Sequence, residues 1–147
     1  MREILFRGKC IEGDGVIQPG QWVEGNLIHR TLNYGDPIDE YYILYTGEFH
    51  YDFYDHAQVD PKTIGQFTGL VDKNGKKIFD GDILAETIFR KEYFGVVEAE
   101  RWNCGCCHSV FGYRIVSNGN MDLTDYRPHY EVRGNIHDNP DLLEKGE

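Results

Sequence analysis

The densest group of potential metal ligands in the sequence is the run Cys104-Gly105-Cys106-Cys107-His108. Thiolate sulfur and imidazole nitrogen are ligands that Zn²⁺ prefers, and a structural site needs four of them, usually from two separated pairs. On a strand Cys104 and Cys106 share one face while Cys107 points to the other, so two or three of these side chains at most reach one ion. Cys10, a distant His or a symmetry-related chain would have to complete the site. We favour the alternative, in which the cysteines pack as small apolar side chains in a β core.

A second group of polar side chains lies in the run from His50 to His56. Alternate residues of a strand share one face, and here that face would carry His50, Asp52, Tyr54 and His56. Two imidazoles and a carboxylate could bind a catalytic metal or transfer protons. The alternative, which we prefer, is an amphipathic strand with its polar side in water.

Other catalytic signatures are absent from the sequence, which has no GxxxxGK[ST] phosphate loop, no GxSxG elbow and no HExxH motif. We therefore predict no catalytic residue and no cofactor. Asp80 and Asp82 could form an acidic pair, but Gly81 between them indicates a turn. In turns, Asp side chains accept hydrogen bonds from nearby backbone N–H groups.

The chain is strongly acidic. Asp and Glu number 25 against 15 Lys and Arg, so the formal net charge at pH 7 is −10. Nucleic-acid binders normally present a basic face, whereas the densest basic group here, Lys73, Lys76 and Lys77, lies in a predicted turn. We therefore expect no nucleic-acid partner. The acidity leaves open a regulator that mimics the charge of DNA and binds a host nucleic-acid enzyme.

The apolar segments are too short for a membrane span. The longest run, Tyr41–Tyr45, falls far short of the roughly 20 residues that a spanning helix needs. Arg7 interrupts the apolar residues at the start of the chain, which is not typical of a secretory signal. We expect a cytoplasmic protein with no membrane partner.

The composition predicts a mainly β fold. Aromatic residues make up 14% of the chain and Gly accounts for 17 of its 147 residues, a combination that favours strands joined by tight turns. We predict strands over residues 21–29 and 40–46, with a loop over 33–39. Asn74-Gly75, between two apolar pairs, predicts a hairpin with a type I′ turn. Asn139-Pro140 predicts the start of a short C-terminal helical turn.

The spacing of strands and turns indicates the fold class and the domain organisation. Short strands and regular turns over residues 62–147 are typical of a small, partly open SH3-like β-barrel. Residues 1–61 would add extra N-terminal strands to this barrel-like core. We expect one domain over residues 1–147, with a possible subdivision into residues 1–61 and 62–147.

Three segments of the sequence are similar to the YopX family, whose members are small proteins common in phages and prophages. The first segment combines Phe6–Lys9 (FRGK) with Trp22–Gly25 (WVEG). The second is Thr63–Leu84 (TIGQFTGLVDKNGKKIFDGDIL), and the third is Glu131–Leu143 (EVRGNIHDNPDLL). Together they extend nearly from one end of the chain to the other.

The YopX resemblance implies a mainly β protein with no defined catalytic residue, and it implies that oligomers can form. Our principal hypothesis is a non-enzymatic phage or prophage accessory protein that binds another protein or itself, as a homo-oligomer. Tyr and Trp, which are frequent here, suit protein interfaces. The alternatives are the DNA mimic described above and a metal-dependent enzyme or zinc-binding protein built on the His50 or Cys104 runs.

Overall fold

The computed structural model describes residues 4–13, 17–45, 56–103, 109–116, 121–122 and 130–146. Within these ranges the chain is mostly β, as its composition predicted. The strands are β1 (Phe6–Glu12), β2 (Trp22–Tyr34), β3 (Asp36–Leu44), β4 (His56–Val59), β5 (Gly65–Val71), β6 (Lys77–Phe79), β7 (Asp82–Ile88), β8 (Lys91–Asn103), β9 (Ser109–Val116), β10 (Met121–Asp122) and β11 (Glu131–Asn135). Two short 3₁₀ helices cover Pro61–Thr63 and Pro140–Gly146. The second begins directly after Asn139 and confirms the predicted C-terminal helical turn.

The chain divides into two compact units, Met1–Phe67 and Thr68–Glu147. The boundary falls inside β5, whereas the sequence suggested a subdivision after residue 61. Helices with the length and apolar character needed to cross a membrane are absent from the ranges that the structure describes.

The first unit contains a small barrel that is closed by strand pairing. β1 pairs antiparallel with β2 and with β4, β2 pairs with β3, and β3 pairs with β4. β1 pairs with three strands: Phe6–Lys9 pair with β2, Phe6 and Arg7 also pair with the first residues of β5, and the last residues of β1 pair with β4. The register with β4 shifts between Cys10 and Glu12. Irregularities of this kind bend a strand and are common at barrel rims. The buried core side chains are Cys10, Val23, Ile43, Ala57 and Val59.

A mainly β fold with a small barrel and additional strands is therefore confirmed. The barrel of the first unit is a closed ring of four strands, whereas we expected a partly open one. The reason is that turn spacing reports where strands end and not which strands pair. Closure depends on β1 and β2 each changing neighbour along their length, which leaves no mark in the spacing of turns.

The second unit is built on a five-stranded antiparallel sheet in the order β10-β9-β8-β7-β11. Its buried core comprises Ile78, Leu84, Val97, Ile115 and Tyr130, with Leu70 and Val132 packed against them. The last strand, β11, lies beside β7 and pairs Val132 with Leu84. The second and third motifs of the sequence are thus brought together in space.

The pair of positive φ angles that we predicted at Asn74-Gly75 occurs at a different turn of this unit. Only Gly75 of the Asn74-Gly75 pair has a positive φ, 82°, and the N–H of Gly75 donates to the carbonyl of Asp72 at 3.0 Å. The loop is therefore not the type I′ turn that we predicted, which needs two positive φ angles. That pattern occurs instead between β7 and β8, where Phe89 and Arg90 have φ angles of 49° and 65°.

Candidate functional site

Most of the predicted metal ligands lie outside the described residues. They are Cys104, Cys106, Cys107, His108, His50 and Asp52. Both metal hypotheses therefore stay predictions. Among the residues that are described, no group of three or more His, Cys, Asp or Glu side chains could hold a metal ion.

Two of the candidate ligands can be placed. Cys10 is buried, with 2% of its surface exposed, and it packs in the apolar core of the barrel. The apolar packing that we favoured was predicted for Cys104, Cys106 and Cys107, which lie outside the described residues. His56 is exposed at the start of β4, where its ring meets the ring of Tyr42 edge to face, with 5.4 Å between centroids.

Asp72 carries a carboxylate that accepts three backbone hydrogen bonds. The residue is only 5% exposed. Its Oδ1 accepts from the backbone N–H groups of Asn74 and Lys76 at 2.8 and 2.9 Å, and its Oδ2 accepts from the N–H of Val132 at 2.9 Å. Val132 lies on β11, so one side chain holds the turn after β5 and the last strand together. Asp72 of the second motif thus binds Val132 of the third, and the two motifs together stabilise this part of the fold.

The hydrogen bonds of Asp72 decide its charge state. Burial by itself would raise the pKa of this carboxyl, but the N–H groups of Val132, Lys76 and Asn74 outweigh burial and hold the pKa below the ordinary value of 3.8. Hydrogen bonds to the charged form favour ionisation in this way. Asp72 is thus an ionised structural group.

A pH dependence of stability follows from the lowered pKa of Asp72. The carboxylate binds a proton less readily in the folded chain, so its contribution is present in full well above pH 3.8 and is lost as the pH falls through the lower native pKa. We expect the difference in unfolding free energy between wild type and Asp72→Asn to shrink between about pH 6 and pH 2.5. Urea unfolding at each pH measures it. A difference that stays constant or grows on acidification would contradict this assignment.

Asp82 has the turn role that the sequence predicted. It is 1% exposed, and its Oδ2 accepts from the N–H of Phe79 at 2.8 Å. This bond spans the Asp80-Gly81 turn, in which Gly81 has a φ of 91°. The role of the Asp82 carboxylate is therefore structural, because it holds the turn of the hairpin through this hydrogen bond.

The main accessible feature of the first unit is the free end of the β2–β3 hairpin. β2 pairs with β1 only at residues 22–25, and β3 pairs with β4 only from Tyr42 onwards. Among the residues that the structure describes, β2 and β3 pair only with each other between these points, out to Tyr34 opposite Asp36. We call residues 28–42 the ribbon. Gly35, at its tip, has a φ of 96°, a left-handed conformation that favours glycine.

One face of the ribbon is rich in exposed apolar groups. The alternation of side chains and the register of the strands place the same pairs on this face, namely Ile28 with Tyr42, Arg30 with Glu40, Leu32 with Ile38, and Tyr34 with Asp36. We call it the apolar face. Ile28 is 41% exposed, Ile38 56% and Tyr34 87%. One ion pair interrupts the apolar groups, with Nη2 of Arg30 2.6 Å from Oε2 of Glu40.

The opposite face of the ribbon is polar, and its side chains bond to one another. Oδ1 of Asp39 accepts from the hydroxyl of Thr31 at 2.8 Å and lies 3.0 Å from Nε2 of His29. The ring of His29 also stacks on that of Tyr41, with centroids 4.6 Å apart. The bond from Thr31, then that from His29, lowers the pKa of the Asp39 carboxyl. This polar face leads towards the barrel core through Ile43, which is fully buried.

The ribbon differs from our prediction, in which the second strand ended at residue 29 and residues 33–39 formed a loop. In the structure β2 continues to Tyr34 and β3 begins at Asp36. Gly35 and Pro37 suggest a loop, yet Pro37 is tolerated because, among the described residues, no strand pairs with the outer side of β3 at this position. Alternation of Ile28, Leu32 and Ile38 with polar residues was the available signal.

The ring of pairings among the four strands β1, β2, β3 and β4 defines the class of protein. It is a mostly β chain with a closed four-stranded barrel and additional strands. The family model for YopX protein matches residues 21–144, and the chain belongs to the YopX family. The resemblance predicted from the three motifs is confirmed. Among solved structures, protein EF1440 from Enterococcus faecalis is 23% identical, with 97% of this chain and 99% of that chain covered and a TM-score of 0.43. No curated protein matches the chain.

Proposed function

We propose that this protein is a non-enzymatic protein-binding module of a phage or prophage, and that the apolar face of the ribbon is its binding surface. The observation that carries the proposal is the exposure of Ile28, Tyr34 and Ile38 on one face of a hairpin that, within the described part of the chain, pairs with no other strand over this length. The phage or prophage origin rests on the YopX resemblance alone.

A two-stranded hairpin is at best marginally stable in water without a further strand or a packed face. The cross-strand side-chain contacts of the ribbon include an ion pair at the surface, exposed hydrogen bonds and the stacked rings of His29 and Tyr41. Ion pairs at the surface contribute little to stability. A partner that covered the apolar face would add the missing packing layer.

The composition of the apolar face suits a protein interface. Burying one aliphatic or aromatic side chain of this size contributes about 1.5–3 kcal/mol, and Tyr34 and Ile38 have most of that gain still available. Tyr and Arg are both enriched where binding energy concentrates, and the face carries both Tyr34 and Arg30. The apolar side chains would supply affinity for a partner, and the ion pair would determine how the partner is aligned along the ribbon.

Ile38→Asp tests the binding surface, and Asn33→Asp is its matched control. Both residues are exposed on the same ribbon, but Asn33 lies on the polar face, so the control adds the same charge without touching the proposed surface. We expect Ile38→Asp to weaken capture of binding proteins at least about tenfold, because binding would bury an unpaired carboxylate. Each immobilised variant is exposed to bacterial lysate and to the purified protein itself, and captured proteins are quantified by mass spectrometry.

The proposal would be wrong if wild type, Ile38→Asp and Asn33→Asp captured the same proteins in the same amounts. Thermal unfolding of each variant provides the folding control. The ribbon is outside the barrel core, so the three midpoints should agree closely.

A further inference from the structure

We propose that the partner of the apolar face is a second copy of this chain, with the two ribbons stacked face to face about a two-fold axis parallel to their strands. This inference rests on the proposed function, because it assigns an occupant to the same face. It is carried by the register of β2 and β3 and by the position of the one ion pair on the face.

The register makes the apolar face complementary to itself. A two-fold axis that runs along the ribbon, between its strands, places β2 of one copy over β3 of the other at the same level. Each residue then faces, in the second copy, the same residue that lies opposite it across the strands of its own hairpin. The facing pairs are Ile28 over Tyr42, Arg30 over Glu40, Leu32 over Ile38 and Tyr34 over Asp36.

The charges select this axis over the other in-plane choice. An axis across the strands, through the level of the ion pair, would set Arg30 against Arg30 of the second copy and Glu40 against Glu40. Like charges placed together at an interface cost several kcal/mol. The axis along the strands instead surrounds each charge with opposite charges, one from its own chain and one from the second copy. Opposite charges across the interface therefore favour the axis along the strands.

The remaining positions of the face suit the same arrangement. Leu32 and Ile38 provide apolar contacts next to the charges, and the exposed hydroxyl of Tyr34 faces the Asp36 carboxylate of the second copy, to which it can donate. Face-to-face sheets pack about 10 Å apart, a gap that side chains from both sides fill. A face of eight side chains makes a small interface, below about 1,200 Å² in total, so we expect a reversible dimer with a dissociation constant in the micromolar range.

Charge-swap variants test the arrangement. Arg30→Glu and Glu40→Arg each place like charges across the interface, so each alone should dimerise at least about tenfold more weakly than wild type. An equimolar mixture of the two should form a heterodimer, because every contact across the interface is then between opposite charges. The double variant Arg30→Glu/Glu40→Arg restores both the pair within the chain and the pairs between chains, and it should dimerise like wild type. Sedimentation equilibrium from about 5 to 300 μM measures each constant.

Two results would overturn the inference. The first is a wild-type chain that stays monomeric over the whole concentration range; if Ile38→Asp still abolished capture of a different protein, the proposed function would survive with another partner. The second is a dimer that is unchanged in both single charge-swap variants, which would place the contact elsewhere. If Ile38→Asp also left that dimer and all captured proteins unchanged, the proposed function would fall with the inference. Circular dichroism of each variant confirms that the barrel is folded.

Discussion

Asp72→Ala is expected to lower the free energy of unfolding by about 3 kcal/mol, since buried groups that lose their partners typically cost about 1–3 kcal/mol each. The substitution removes the acceptor of three backbone N–H groups, from Asn74, Lys76 and Val132. The first two belong to a surface turn and can bond to water, which limits their share of the loss. The third lies on β11, and its loss loosens the last strand. Urea unfolding followed by circular dichroism measures the change.

Two further substitutions separate the role of the Asp72 charge from that of its shape. Asp72→Asn preserves the size and one acceptor oxygen, so its loss of stability should lie between that of Ala and zero. Asp141→Asn makes the same chemical change at an exposed position and should leave the stability unchanged. Equal stability of wild type and Asp72→Ala would show that the carboxylate does not hold the turn and β11 together.

Gly25→Ala is expected to destabilise the barrel by a similar amount, about 3 kcal/mol, at the upper end of what overpacking costs. Gly25 is the residue at which β2 changes its neighbour, since it pairs with Phe6 of β1 while the next residue, Asn26, pairs with Leu44 of β3. A Cβ at Gly25 would collide with the backbone carbonyl of Leu44 and would lie 3.1 Å from Cγ2 of Ile43. Backbone atoms cannot move aside cheaply, so the ring would have to open at this corner.

Asn26→Ala is the control for Gly25→Ala. Asn26 is the adjacent residue and is exposed, so removing its side chain should change stability little. Both variants are compared with wild type by thermal and urea unfolding. A Gly25→Ala variant as stable as Asn26→Ala would mean that β2 and β3 do not approach as closely as the barrel requires.

Much of the second unit could be predicted from local signals. The hairpin around Asn74-Gly75, the turn at Gly81 and the helical turn after Asn139 were all predicted in the right places. Each is determined by a few adjacent residues whose backbone preferences point the same way. The type of the first turn was wrong, because the Asp72 carboxylate bonds to the N–H groups of Asn74 and Lys76 and stabilises a longer loop.

The ribbon was missed because its strand pairing involves contacts between the two strands, which the propensities of single residues do not show. Asp39 has a poor strand propensity, yet its carboxylate accepts a hydrogen bond from the hydroxyl of Thr31 across the strands at 2.8 Å. Pro37 and Gly35 suggest a loop when they are considered alone. Opposite Asn33, however, Pro37 occupies a position on an otherwise unpaired edge, where its missing N–H is harmless.

The amino-acid sequence by itself determined the mainly β class, the family and the turns at Gly75 and Gly81, since backbone propensity and side-chain alternation are local properties of the chain. Only the tertiary structure decided that β1 to β4 close a ring, that Val132 reaches Asp72, and that the ribbon presents an apolar face. Those features depend on register and on contacts between residues far apart in sequence. A shift of one residue would turn every side chain of the ribbon to its other face.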